Sequence, residues 1–464
     1  MRKTVKPSLG YSIMLVLLAV LMISVGMIAF KASIQIMMFI TMLSIIPFVM
    51  RLGYNYKQVE EFMFSMMGKV MNPILIIMAV GALIGAWILA GTVPTMIFYG
   101  LKLVSPEFFL LTSLLFCSIV SLGTGTSFGT MGTAGLALIG MGHVLGVPPG
   151  MTAGAIISGA YFGDKMSPLS DSTNIVAAMS GSDLFKHIKH MLWTTVPAYI
   201  LTAIIFGVID FTRDGSANSS DIDAILGYLS EGFNLGFVPL IPILVLIVLL
   251  VLKKPAVTSI FVAALTGGFI AIVYQGNTIS TALNTLYTGY RFESGIAAMD
   301  SLLQRGGVSS MLGIVALFLL ALGLGGLLQG SGALNTILDA FASRIKSVGG
   351  LIATTVIVSY ITVGASGVIS FAAAITGTLM KPLYKQFGVR PENLSRTIED
   401  TATQSAALFP WSINSIFAAA TLGVSPAAFI PFCFLAFITP VFTLIYGFTG
   451  FTITRIDSEE IDME

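Results

Sequence analysis

The sequence predicts an all-α polytopic membrane protein. About ten transmembrane helices plus two re-entrant hairpins are expected, laid out as two inverted structural repeats that each contain a broken helix. Three observations carry that prediction. Of 464 residues, 56% are hydrophobic and 10% are charged, whereas a soluble domain carries about 25% charge, so the chain lacks the polar surface to solvate a body of this size. Apolar runs of roughly 20 residues, enough to cross a hydrocarbon core of about 30 Å as a helix, recur along its length. Four of the apolar stretches are interrupted by polar segments, and the interruptions come in two matching pairs. The net charge of +1 gives no footprint for nucleic acid. Cys117 and Cys433 lie in apolar stretches and form neither a disulfide framework nor a metal pattern.

Taken in order, residues 1–70 hold two spans, 11–30 and 34–50, and then a cytoplasmic loop. The first of these runs is too long for a cleaved signal segment and no small-residue cleavage site follows it, so it reads as an anchor. Residues 71–182 form the first repeat: a span at 71–97, a hairpin at 108–143 broken by SLGTGTSFGT (121–130), and a broken helix at 151–182 interrupted by GDKMSPLSDSTN (163–174). Residues 183–308 connect the repeats through spans at 191–210, 237–252 and 256–274. The second repeat, 309–449, has a span at 309–330, a hairpin at 350–385 broken by VGASGVIS (363–370), a broken helix at 392–423 interrupted by DTATQSAALFP (400–410), and a final helix at 425–447. Residues 450–464 are an acidic cytoplasmic tail.

Basic residues in short loops mark the cytoplasmic side. Arg2, Lys3 and Lys6 place the N-terminus inside, and the clusters at Arg51 to Lys69, Lys186/Lys189, Lys253/Lys254, Arg344/Lys346 and Lys381 to Arg396 share that side only if both hairpins return to the face they entered. Both termini are then cytoplasmic. If each hairpin is instead a crossing, some of these clusters fall outside.

At an offset of 242 residues the window 125–181 matches 367–423 at twelve positions, including Gly125/Gly367, Gly146/Gly388, Pro168/Pro410, Ser170/Ser412 and Gly181/Gly423. In the topology above, the two broken helices run in opposite directions. Inverted repeats with paired broken helices are the signature of a secondary transporter whose site lies near the membrane midplane.

Non-helical backbone and charge at membrane depth must line a cavity or be buried in protein. Asp164 lies thirteen residues into its segment, roughly 20 Å at the helical rise, and Glu399 and Asp400 about 11 Å into theirs. Around Asp164 stand Ser167, Ser170, Asp171, Thr173 and Asn174; the counterpart offers Thr401 and Gln404 beside Asp400. This oxygen-rich set, free of His and Cys, suits a hard cation such as Na⁺, proposed at Asp164 and Asp171. Asp171 also fits the plainer role of a helix cap. Arg396 is spaced to pair with Glu399 or Asp400, and Asp400 is taken as the acid left free. Thr124, Thr126, Ser127 and Ser366 at the hairpin tips are candidate ligands or simple turn residues. Glycine pairs 81/85 and 326/330 read as helix packing, and His143, His187 and His190, near the expected membrane edges, as loop markers, with pH sensing by His187 or His190 the alternative. Desolvation favours a protonated carboxyl and a bound cation favours an ionised one, so Na⁺ and H⁺ compete for one group. A carrier that reorients only when that group is neutralised exchanges the two ions.

The stretch AGAIISGAYFGDKMSPLSDSTNIVA (153–177) resembles the signature of the NhaC family of bacterial Na⁺/H⁺ antiporters, in which a GDxxSPLSDTT-like segment recurs, and the likeness extends over most of the chain, including PWSINS (410–415). Ser172 replaces the usual Thr and keeps a hydroxyl. The resemblance implies roles for Asp164, Ser167, Ser170, Asp171 and Thr173 and a place in the bacterial cell membrane. It also embraces a branch that resembles malate/lactate exchangers coupled to Na⁺ and H⁺.

The expected activity is therefore exchange of Na⁺ for H⁺, with Li⁺ as a further cation, malate or lactate as the alternative cargo, and the lipid bilayer as the environment. No cofactor is expected, and a homodimer is compatible with the sequence. An enzyme is not expected: the segment YFGD lacks the GxGD spacing of an intramembrane aspartyl protease, and no HExxH occurs.

Overall fold

Apolar runs of this length leave the backbone no partner but itself, and the chain is accordingly helical. The computed structural model describes residues 4–68, 71–103, 106–213, 219–291, 303–342 and 345–456. The expectations for Arg2, Lys3, Lys69, Arg344 and the acid-rich tail lie outside these residues. Among the described residues seven helices are long and apolar enough to cross a membrane, or up to ten if each bent pair is one span. Their only β pairing is an isolated bridge between Val389 and Arg455.

Most expected spans appear with shifted ends: Leu9–Ala29, Ile34–Arg51, Leu184–Thr212, Ala256–Val273 and Val308–Gly330. Among the departures from expectation, three bear on packing. The span expected at 71–97 is two helices, Met71–Leu89 and Thr92–Leu103, because Gly91 takes φ +76° and breaks the ladder between them. The final helix is bent by 47° at Cys433, between Pro426–Phe432 and Phe434–Thr449. Residues expected to form a loop instead make the helix Tyr56–Gly68, which packs on Val308–Gly330. Phe62 explains that contact: a Cβ at Gly326 would lie 2.3 Å from the Phe62 carbonyl oxygen, and one at Gly330 would lie 2.2 Å from the Phe62 ring. Gly81 likewise approaches Gly307, whose N–H donates to the Gly81 carbonyl at 2.6 Å. Both glycine pairs thus serve close helix packing, as small residues do where apolar surface gives no drive in lipid.

The 242-residue offset recurs in conformation. Helices and turns at 127–144 fall opposite Ile369–Gln386, Pro149–Met166 opposite Pro391–Leu408, and Asp171–Ser180 opposite Ile413–Leu422. Gly125 and Gly367 close the first hairpin arms at φ +68° and +66°, and Gly181 and Gly423 close the last half-helices at +77° and +69°. Each broken helix packs along the hairpin before it, and its trailing half-helix packs against the other hairpin's second arm. The first contact is the tightest, since Gly159 and Gly163 let the Pro149–Met166 backbone touch the Leu114 and Ser118 carbonyls of the Phe109–Thr124 helix. Cys117 is buried in that seam, and Cys433 is also buried.

After the last helix the chain turns back. Ile456 N–H donates to the Gly388 carbonyl at 2.9 Å, Arg390 N–H to the Thr454 carbonyl at 3.1 Å, and Asn393 Nδ2 to the same carbonyl at 2.9 Å. Residues 450–456 therefore form a strap across the start of the second broken helix.

Candidate functional site

The two interruptions meet. In the first, the Pro149–Met166 helix stops at Ser167 because Pro168 cannot continue it, and the chain restarts at Asp171 after the N-cap Ser170. Thr173 Oγ1 donates to the freed carbonyls of Asp164 (3.4 Å) and Lys165 (3.0 Å), and Asn174 Nδ2 to those of Pro168 (3.0 Å) and Ser170 (2.7 Å). Ser167 Oγ accepts from Leu169 N–H at 3.3 Å. These side chains satisfy the broken backbone and hold the loop in shape.

Half-buried Asp164 stands at this break. Its Oδ2 accepts from the backbone N–H of Ser127 at 3.1 Å, the first residue of the short helix at the hairpin tip. The Ser127 and Ser170 side chains neighbour the same carboxylate. Ser170 Oγ is 3.1 Å from Ser172 Oγ, which donates to Glu399 Oε1 at 3.2 Å. Ser170, Ser172 and Glu399 thus form one polar chain from the first interruption to the second, with Asp164 beside its first member.

The second interruption opens with a π turn at Glu399–Thr403, the kind of widened turn that recurs at functional sites. There Glu399 reaches Ser172, while Asp400 is ion-paired with Lys165 and accepts from Thr443 Oγ1 at 2.5 Å. Lys165, Glu399 and Asp400 are all completely buried. Glu399 keeps one oxygen, Oε2, without a partner, and Thr403 Oγ1, Gln404 Nε2 and Ser405 Oγ nearby in sequence are also buried and unpartnered.

Of the residues expected from sequence, Asp164, Ser170, Ser127 and Asp400 are brought together. Ser167, Thr173 and Asn174 cap the break. Asp171 is exposed at the first turn of its half-helix, and its side chain does not cap the helix. Thr401 Oγ1 bonds back to the Thr397 carbonyl at 2.5 Å, and Gln404 is buried without a partner for its amide nitrogen. At the tips, Thr124 donates to the Val120 carbonyl (2.9 Å), Thr126 caps Gly129 (3.3 Å), and Ser366 donates to the Thr362 carbonyl (2.7 Å), so these three hold turns. Arg396 pairs with neither neighbouring acid; its Nη1 donates to Thr452 Oγ1 at 2.8 Å. The acid with a free oxygen is Glu399, not Asp400, and Lys165, Ser172 and Thr443 complete the set. Lys165 is adjacent to Asp164 in sequence, but its partner is 235 residues away, so local spacing gives no sign of the pair. A further deep acid, Asp210, caps the Leu110 and Leu111 N–H groups at 3.2 and 2.9 Å and stands apart from this chemistry.

Residues 159–451 match the model of a family described as the Na⁺/H⁺ antiporter family. The chain is 38% identical to the malate-2H⁺/Na⁺-lactate antiporter of Bacillus subtilis, over 90% of this chain and 89% of that protein. It is 35% identical to the Na⁺/H⁺ antiporter NhaC of Alkalihalophilus pseudofirmus over 98% of both chains. To the Na⁺/H⁺ antiporter NhaC of Bacillus subtilis it is 35% identical over 85% of this chain and 88% of that one. These relatives are membrane transporters, not enzymes.

Proposed function

The chain belongs to the Na⁺/H⁺ antiporter family, and from that membership we propose that it exchanges Na⁺ for H⁺ by alternating access, the two ions competing for carboxylates held between its broken helices. The observation that carries this reading is the hydrogen-bonded run Ser170–Ser172–Glu399, with Asp164 beside it, which draws the two interruptions together. Asp164 and the free oxygen of Glu399, with the two serine hydroxyls, are the hard oxygen donors that Na⁺ requires. Lys165 is ion-paired with Asp400, which leaves two acids at the site, so the remaining acids need a proton or a cation before the site can move through the membrane interior. Either ion meets that need, and coupling follows.

Re-entrant hairpins, an inverted relation between the two units and cytoplasmic termini belong to the same proposal. The repeated conformation at offset 242 supports it. In proteoliposomes, Na⁺ or Li⁺ added on one side should dissipate an imposed pH gradient; no response to either ion would overturn the reading.

A second reading, coupled exchange of an organic anion such as malate or lactate, is favoured by one observation: Arg396 is buried with two of its donor nitrogens unpartnered. Uptake of labelled malate into the same vesicles separates the two.

A further inference from the structure

Arg396 is completely buried six residues into the second broken helix. Its Nη1 donates to Thr452 Oγ1, but Nε and Nη2 have no partner. Asp400, one turn further on, is taken by Lys165 and Thr443. On the facing Leu184–Thr212 helix, His187 is fully buried with neither ring nitrogen partnered. His190, three residues on, has an unpartnered Nδ1, and its Nε2 lies 3.0 Å from the Thr452 carbonyl oxygen. His190 lies beside Arg396 and His187 beside Lys165. The other groups near Arg396 are Tyr384 and Tyr446, and Glu392 reaches Thr454 at 3.4 Å.

Unmet donors on a buried guanidinium carry their full desolvation cost. The open pair is informative: Nε–H and one Nη–H lie on the same edge of the planar group, the edge that grips a carboxylate through two parallel hydrogen bonds. Thr452 covers the cluster from the strap and sits at φ +62°, a left-handed conformation that a β-branched residue rarely adopts. It offers Arg396 a hydroxyl and His190 a carbonyl, both weaker acceptors than an anion.

We propose that Arg396, His187 and His190 form a binding site for the carboxylate of a small organic anion, covered by the 450–456 strap. The inference rests on the second reading above and names the residues that would hold the anion. The carboxylate lies along the Nε/Nη2 edge, a ring N–H of His190, which shares Thr452 with Arg396, supplies a third donor, His187 lines the site one helical turn away, and the strap at Thr452 moves aside.

The test is thermal stabilisation of the purified full-length protein by L-malate, L-lactate, chloride and Na⁺, each titrated separately. Both carboxylates should raise the melting temperature, and chloride should not match them. Arg396→Lys, which keeps the charge and loses the forked edge, should bind them about tenfold or more weakly while its response to Na⁺ persists. Thr452→Gly leaves every donor in place, relieves the left-handed backbone and loosens the strap that covers the cluster, so it should bind carboxylate more tightly than the parent. The proposal is overturned if the parent protein ignores both carboxylates, if chloride stabilises it equally, if Arg396→Lys binds unchanged, or if Thr452→Gly binds more weakly. Failure of Na⁺-driven proton movement with carboxylate binding intact would overturn the cation reading and leave this one standing.

Discussion

Three acids converge at the paired interruptions, and each has a different companion: Asp164 a hairpin-tip N–H, Glu399 a serine, Asp400 a lysine. Only the first two keep oxygen free for a cation, so they should dominate transport. Asp164→Asn should abolish Na⁺-driven proton movement at normal expression, and Glu399→Gln should weaken apparent Na⁺ affinity more than Asp171→Asn, as read by gradient dissipation at graded Na⁺. Equal effects of the last two would place exposed Asp171 in the site. The Lys165–Asp400 pair makes a stability statement. Removing one partner of a buried pair costs about 3–5 kcal/mol, so Lys165→Met should lower the melting temperature sharply, whereas Lys165→Met with Asp400→Leu should recover much of the loss. Asp164 is legible in the sequence because a charge within an apolar run stands out. The division of labour between Glu399 and Asp400 is not, because a π turn changes the direction of adjacent side chains and leaves no local pattern.

At the scale of elements, glycines set how closely each broken helix lies on its hairpin. A Cβ at Gly163 would come within 2.4 Å of the Leu122 nitrogen and 2.5 Å of the Ser118 carbonyl oxygen, both fixed backbone atoms. Gly163→Ala should therefore destabilise the protein by about 1–3 kcal/mol and shift Asp164 away from Ser127, lowering exchange along with the melting temperature. A full rate at normal stability would show that this seam gives. The breaks themselves are legible, since proline and clustered hydroxyls inside apolar runs have few other uses. The helix Tyr56–Gly68 is hidden, because its polar residues Lys57, Gln58, Glu60 and Glu61 read as a loop while Val59, Met63 and Met66 form the buried face. The kink at Gly91 is equally hidden within an unbroken apolar run.

For the whole molecule, the order of spans follows from composition, but handedness across the bilayer does not follow from helix geometry. The basic loops carry it. If both hairpins return to the side they entered, cysteines placed at Lys57, Lys189, Lys253 and Lys381 should all react with an impermeant maleimide from the cytoplasmic face alone. Labelling of Lys381→Cys from outside, with the first three inside, would make the second hairpin a crossing. Exchange of unequal charge would also couple to voltage, at about 2.3 kcal/mol per elementary charge per 100 mV, so the rate in polarised vesicles reports the stoichiometry.

The burial of Cys117 and Cys433 makes such work direct. With both native thiols sealed within the helix bundle, the unaltered chain is already a silent background for sulfhydryl chemistry. A single engineered reporter at exposed Leu169 can follow the opening of the first break to either aqueous compartment without first stripping the protein of its own sulfur.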